Sequence, residues 1–214
     1  MSVPDTYVEN EIIYRVLENG AADANLSVLT TMFSITEIID STNRVQNDFL
    51  LETGMIVTRT TIVGVTGTSK YPTPANSIRP RRITWQDSSD NLIRTLTQVD
   101  TWELDNGFSN WPSDRDIPIA WWETTLPQQM IGITKTPVNN GVIGLLYVAL
   151  ATTLNGTGVT FTVPDDWTPY IMYGTLAELL SSDGPGFDPV RAQYCGQRYQ
   201  EGIELARVVL GGAA

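Results

Sequence analysis

Carboxylates are the main groups in this sequence with the makings of catalysis. Asp114/Asp116 and Asp165/Asp166 could supply a general acid and a general base, as in glycoside hydrolysis. Spacing in sequence does not fix the separation of carboxylates in space, and each pair has a plainer use. Asp165 and Asp166 stand where a helix cap belongs, and Asp114 and Asp116 stand in a loop. Histidine is absent from all 214 residues, which removes Ser–His and Cys–His nucleophiles and most zinc sites. There is no Gly-rich phosphate loop, no CxxC and no metal-ligand spacing, so neither cofactor nor metal is expected. A carboxylate-dependent glycosidase is the weakest function class that the residues allow.

Two other groups of residues suit recognition. Trp111, Trp121 and Trp122 fall within a short span, and exposed tryptophans can stack sugars or anchor a protein interface. Burial is the plainer reading for most of the six tryptophans. Adjacent Trp121 and Trp122 must point to opposite faces of a strand, so both are buried only if that strand is covered on two sides. Arg79, Arg81 and Arg82 form the one basic knot; on a regular strand Arg79 and Arg81 share a face. In so acidic a chain an acidic partner surface suits them better than DNA, and a solvated face is the bland alternative.

The elements that must position these residues are legible from periodicity and punctuation. Val163–Leu210 reads as a helical hairpin. Asp165 or Thr168 caps the first helix, Pro169 suits its first turn, and Met172, Leu176, Leu179 and Leu180 form its apolar stripe. Gly184-Pro185-Gly186 breaks it. Asp188 and Pro189 start a second helix with Cys195, Tyr199, Ile203, Ala206 and Leu210 near one face, which leaves Arg191, Gln197, Arg198, Gln200 and Glu201 for solvent or a partner.

At the other end, Asn10–Leu17 reads as a short helix and Ala21–Ser27 as a connector. Ser34 and Glu37 form a capping box for a helix of about 19 residues, roughly 28 Å long, with Ile35, Ile38, Val45 and Phe49 as its stripe. Between the ends the pattern turns to strands. They are expected at Met55–Val65, at Ile78–Gln86 (an edge strand, given Pro80), at Val142–Leu150, and in the alternation Val159, Phe161, Val163. Thr66–Asn76 and Gly107–Asp116 read as exposed polar loops, with Val99, Trp102 and Leu104 as anchors between them. Asn140-Gly141 and Asn155-Gly156 signal tight hairpins. The fold class is therefore α+β: a helical bundle from residues 1–54 and 164–214, with an antiparallel β module, 55–163, inserted.

Composition sets the outer limits. Apolar residues make up 42% and charged residues 17%, ample for a packed core in 214 residues. No apolar run approaches the roughly 20 residues of a membrane helix, and the N-terminus lacks a signal-peptide pattern. The single cysteine, Cys195, rules out an intrachain disulfide framework and suits a reducing cytosol. A net charge of −11 disfavours a binder that works by neutralising phosphates.

Taken together, the chain resembles the head-to-tail adaptor (connector) proteins of tailed bacteriophages. The likeness rests on the capped helix Ile35–Phe49 with its Asp40–Arg44 centre, on Trp102–Asp105, Trp111 and Ile117–Trp122, and on Gln129–Ile133, Pro137 and Gly141–Tyr147. It is closest at Val163–Tyr170, Tyr173–Ala177, Asp188, Arg191-Ala192 and Tyr194–Tyr199. The resemblance implies a structural, non-enzymatic protein that assembles in the host cytoplasm and sits in the neck of the virion. There a ring of identical copies, twelve in the family, joins the portal protein to the next tail or nozzle component while double-stranded DNA passes through without specific binding. It implies that the helical bundle forms the ring wall. An acidic lumen would repel phosphate. Family members often dock on the portal through an extended C-terminal segment, whereas this sequence stops four residues after Leu210. The N-terminal residues or the polar loops would then dock instead. A β-rich carbohydrate- or receptor-binding virion module is the alternative.

Overall fold

The computed structural model describes residues 3–12, 33–107, 110–124, 128–184 and 186–210. It is an α+β protein whose chain falls into two compact units. One comprises Met1–Ile56 with Leu150–Ala214 and the other Val57–Ala149.

The first unit is helical. Its longest early helix, α2 (Ile35–Thr53), follows from local signals at both ends. Glu37 N–H donates to Ser34 Oγ (3.2 Å), while the Glu37 carboxylate accepts from Ser34 N–H (2.7 Å). Such a capping box is worth about 1 kcal/mol. At the other end Gly54 adopts φ 61°, a left-handed turn that glycine takes without a Cβ penalty, and its N–H reaches the Leu50 carbonyl. The buried stripe of α2 joins Ile38, Val45, Phe49 and Leu50 to Ser41, Thr42 and Gln46. Thr42 Oγ1 donates to the Ile38 carbonyl and Ser41 Oγ to the Glu178 carboxylate, whereas Gln46 donates through its Nε2 and leaves its buried Oε1 unpaired.

The hairpin of α4 (Thr168–Ser181) and α5 (Pro189–Val209) packs onto α2, with α4 touching both other helices. Asp188 caps α5 as expected, accepting from Arg191 N–H at 3.0 Å. The cap expected on α4 is absent. A 3-10 turn, Asp165–Trp167, leads into that helix, Trp167 occupies the cap position without a side-chain bond, and Asp165 instead accepts from Val3 N–H (2.9 Å). Ile171 rather than Met172 takes the buried position on α4, and Leu210 is partly exposed rather than packed.

The N-terminal helix α1 runs Asp5–Glu11, earlier than the spacing of apolar residues suggests. Ile12 is fully buried; the rest of the expected Asn10–Leu17 helix and the 21–27 connector lie outside the described residues. Residues 150–163 belong to this helical unit and not to a β module. Leu154, Phe161 and Val163 are buried, yet no strand pairs beside 151–154. Side-chain amides of α2 replace the missing strand. Asn43 bonds both the N–H and the carbonyl of Leu154 (2.8 and 3.0 Å), Asn47 accepts from Ala151 N–H, and Gln46 donates to the Thr152 carbonyl.

The described residues of the second unit form eight strands and a short helix. They are β1 (Val57–Gly64), β2 (Lys70–Pro72), β3 (Ser77–Asp87), β4 (Ile93–Thr95), β5 (Thr97–Gln98), α3 (Thr101–Gly107), β6 (Ala120–Thr124), β7 (Met130–Ile133) and β8 (Gly141–Ala149). They form two sheets, ordered β1-β8-β3-β4 and β2-β7-β6-β5. All pairs are antiparallel except β5 with β6. Ile83, Trp85, Ile143 and Leu145 of the first sheet and Trp121, Ile131 and Ile133 of the second are fully buried.

Three expectations are corrected here. The 66–76 loop contains β2, and Tyr71 within it is buried, its hydroxyl donating to the Thr68 carbonyl and accepting from Val65 N–H. Asn140-Gly141 makes no hairpin: β7 and β8 belong to different sheets, and Asn140 accepts from Ser88 N–H and Thr66 N–H where the chain crosses. Strand β3 is inner where β4 pairs Thr84–Gln86, but Pro80 lies beyond β4, next to a register break, where its missing N–H is tolerated.

Buried Asp87 gives this unit a pH dependence. Its carboxylate accepts from Ser89 N–H (2.8 Å) and Ser89 Oγ–H (2.7 Å), which hold its pKa below the usual carboxylate range. A depressed folded-state pKa stabilises above the unfolded value of about 3.9 and is lost as pH falls through the folded one. Unfolding of the wild type is therefore expected to become easier as pH falls below about 4, and Asp87→Asn should lose part of that slope. A denaturant titration repeated from pH 7 to 2.5 checks it.

Candidate functional site

The structure sorts the candidate residues into surfaces and packing. Trp121 and Trp122 are packing: they are 1% and 4% exposed. Their strand is covered on both faces, the condition set by their adjacency. Trp121 pairs with Ile133 and shares the core face. On the opposite face Trp122 lies over Gly132, where an added Cβ would sit 2.1 Å from the indole, and Trp111 meets it edge-on at 4.8 Å. Neither indole is available to a sugar or a partner. Trp111 is half-buried, its Nε1–H donating to Asp105 at 2.8 Å. Trp102, read as an anchor, is instead 72% exposed on α3.

Trp111 also lines a cleft of about 530 Å³ with Leu104, Asp114, Ile119 and Lys135. Lys135 Nζ lies 3.1 Å from Asp116 and 3.9 Å from Asp114. Ile117 N–H and then Lys135 hold the Asp116 pKa below the usual range. A general acid needs the opposite, a raised pKa that keeps its proton. This pair is arranged as an ion-paired loop brace. Among the described residues no group of acidic or sulfur side chains could hold a metal ion.

The basic knot is rearranged by backbone geometry. A register break between Pro80 and Arg82 makes Arg81 an extra residue in β3. Arg79 pairs with Val148 and Arg82 with Leu146, so Arg79 and Arg82, and not Arg79 and Arg81, share the outward face. Arg59 of β1, also opposite Leu146, joins them there. Arg82 donates to Thr95 Oγ1 (3.0 Å), and Val63 and Ile93 on this face are 74% and 62% exposed. The alternation of β1 marked Arg59, but its neighbours across the sheet depended on pairing.

In the helical unit, α5 exposes Val190, Tyr194, Leu205 and Val208 at helical spacing. Arg198 belongs to this stripe. Its guanidinium lies 5.4 Å from the Tyr194 ring centroid, donates to the Tyr194 hydroxyl and pairs with Glu201 at 2.8 Å. These contacts raise its pKa further and fix the cation. Arg191 is exposed beside the Asp188 cap, 3.4 Å from its carboxylate.

The arginine face of β1 and β3 and the apolar and cationic stripe of α5 are surfaces of the kind that join proteins to one another. The sequence model of the SU10 adaptor proteins matches residues 11–211. The chain belongs to the SU10 adaptor protein family. It is a phage adaptor, a structural component of the virion. No curated protein matches the sequence. The match covers both units of the adaptor, from the last residue of α1 through the end of α5. No described helix is long and apolar enough to cross a membrane.

Proposed function

We propose that this adaptor works as a closed ring of identical subunits, dodecameric as the family resemblance implies, in the neck of the virion. It joins the portal protein to the next tail or nozzle component, and double-stranded DNA passes through it without specific binding. The observation that carries this reading is the family match across residues 11–211. The exposed apolar and cationic stripe of α5 supports it, because one copied head-to-tail contact closes a ring when its rotation is right. The helical unit is the ring wall in this reading, and the segments Thr66–Asn76 and Gly107–Asp116 of the β unit meet neighbouring proteins.

The net charge of −11 fits both ends of the process. Acidic subunits repel one another in solution and an acidic lumen repels phosphate, so assembly waits for the portal as template. Electron microscopy of virions, or of this protein mixed with its cognate portal, tests the reading. A ring coaxial with the portal is expected; copies found only at fibre tips or across the capsid shell would overturn it. Val208→Glu with Tyr194→Glu, both on exposed positions, should leave the isolated chain folded and abolish ring assembly in the same micrographs.

A further inference from the structure

Among the described residues, every open sheet edge in the β unit is blunted except one. Strand β2 has three residues and ends in Pro72, β4 has three, and β5 has two. The half of β3 that extends past β4 carries Pro80 and two register breaks. These are the devices by which proteins keep edges from recruiting another strand. Strand β1 has none of them. Its eight residues pair with β8 in unbroken register from Val57↔Val148 to Gly64↔Gly141. Six of the eight are β-branched, none is proline, and the one charge is Arg59. Among the described residues its backbone makes no hydrogen bond except to β8, so every second N–H and carbonyl points to an open side about 27 Å long.

The side chains along this edge describe its occupant. Inward-pointing Thr58, Thr60 and Ile62 are only half-buried, so apolar residues of an added strand would finish covering them. On the outward face Arg59 is exposed and makes no ion pair among the described residues, and Arg79 and Arg82 follow across the sheet without a carboxylate between them. We infer that the open edge of β1 takes up an extended segment of a different virion protein as an added strand, one that alternates apolar residues with a carboxylate set beside Arg59. A second copy of this chain is the poorer occupant. Its other described edges are two or three residues long or broken by proline, and pairing β1 with itself offers Arg59 no carboxylate, since Arg59 is the one charge of that strand. The inference stands on the edge and on adaptor membership, and holds whether or not the subunits form a ring.

Hydrogen exchange read by mass spectrometry on the full-length protein, free and within purified virions, tests it. In the free chain, alternate amides of Val57–Gly64 should exchange freely, and in virions they should become protected. Protection already present in the free chain, with a two-fold dimer in sedimentation, would overturn the inference in favour of self-pairing. Absence of protection in virions would overturn it outright. Proline at Thr60 and, separately, at Thr61 sharpens the test, since adjacent residues direct their N–H groups to opposite sides. The variant whose thermal unfolding matches wild type has lost only an open-edge donor, and it should fail to enter virions while sedimenting alone as the wild type does. Arg59→Glu should reduce incorporation about tenfold and Arg59→Lys should restore it; equal incorporation of all three would refute an acidic occupant.

Discussion

Asp5→Ala is expected to destabilise the helical unit by about 3 kcal/mol or more, out of proportion to a residue in the first turn of a seven-residue helix. The carboxylate is 1% exposed and is satisfied by backbone rather than by a cation. Its Oδ1 accepts from Thr6 N–H (2.8 Å) and Gly158 N–H (2.9 Å), and its Oδ2 from Gly156 N–H (2.9 Å) and Asn155 N–H (3.3 Å). Truncation leaves several donors pointing into the space it vacates. Each unsatisfied buried donor costs about 1–3 kcal/mol, reduced where water enters. Asn155–Gly158 is the turn that places Phe161 and Val163 in the core, and Asp5 N–H in return donates to the Val159 carbonyl. Asp5→Asn should fall between, because one amide oxygen still accepts while its NH₂ opposes a backbone donor. Denaturant unfolding measures the loss, and hydrogen exchange at 155–158 localises it. A loss under about 1 kcal/mol for the alanine variant would show that this carboxylate holds nothing in place.

The second large effect is at Trp121. Replacing it with alanine should cost about 3–5 kcal/mol, the usual range for emptying a fully buried indole site. Trp102→Ala, a larger change in exposed surface, should stay within about 0.5 kcal/mol. The contrast separates packing from recognition. A tryptophan that stacks a sugar loses binding when truncated and leaves stability alone, whereas Trp121→Ala should lose stability with no ligand present. For a chain of this size, each kcal/mol moves the unfolding midpoint by about 2–4 °C, so calorimetry resolves the pair. Equal midpoints for the two variants would contradict the packing described for β6.

The sequence by itself determined the elements whose causes are local. The Ser34–Glu37 box and the Gly54 stop define α2 within a few residues of each end, and the Asp188 cap with Pro189 defines the start of α5. The β-branched run Met55–Val65 and the apolar run Val142–Leu150 likewise announced the strands that lie at Val57–Gly64 and Gly141–Ala149. A cap, a helical stripe or a β-branched run is settled by residues three or four apart, and those lie together in the text. The α+β class followed from the order of such elements.

What only the tertiary structure decided were matters of partnership across long separations. Three-residue β2 exists because β7 offers it a ladder, with Tyr71 opposite Ile131, 60 residues further along the chain; counted alone, Lys-Tyr-Pro is loop. Phe161 and Val163 carry a strand-like alternation, yet the pairing there among the described residues is one isolated bridge, Thr160 to Pro4, and α2 meets the segment before it with side-chain amides instead of a strand. The arginine face turned on one extra residue in β3, because a one-residue slip moves every later side chain to the other side. Trp102 and Trp121 are indistinguishable as letters, and opposite in burial, because burial belongs to what the rest of the chain brings up against a position.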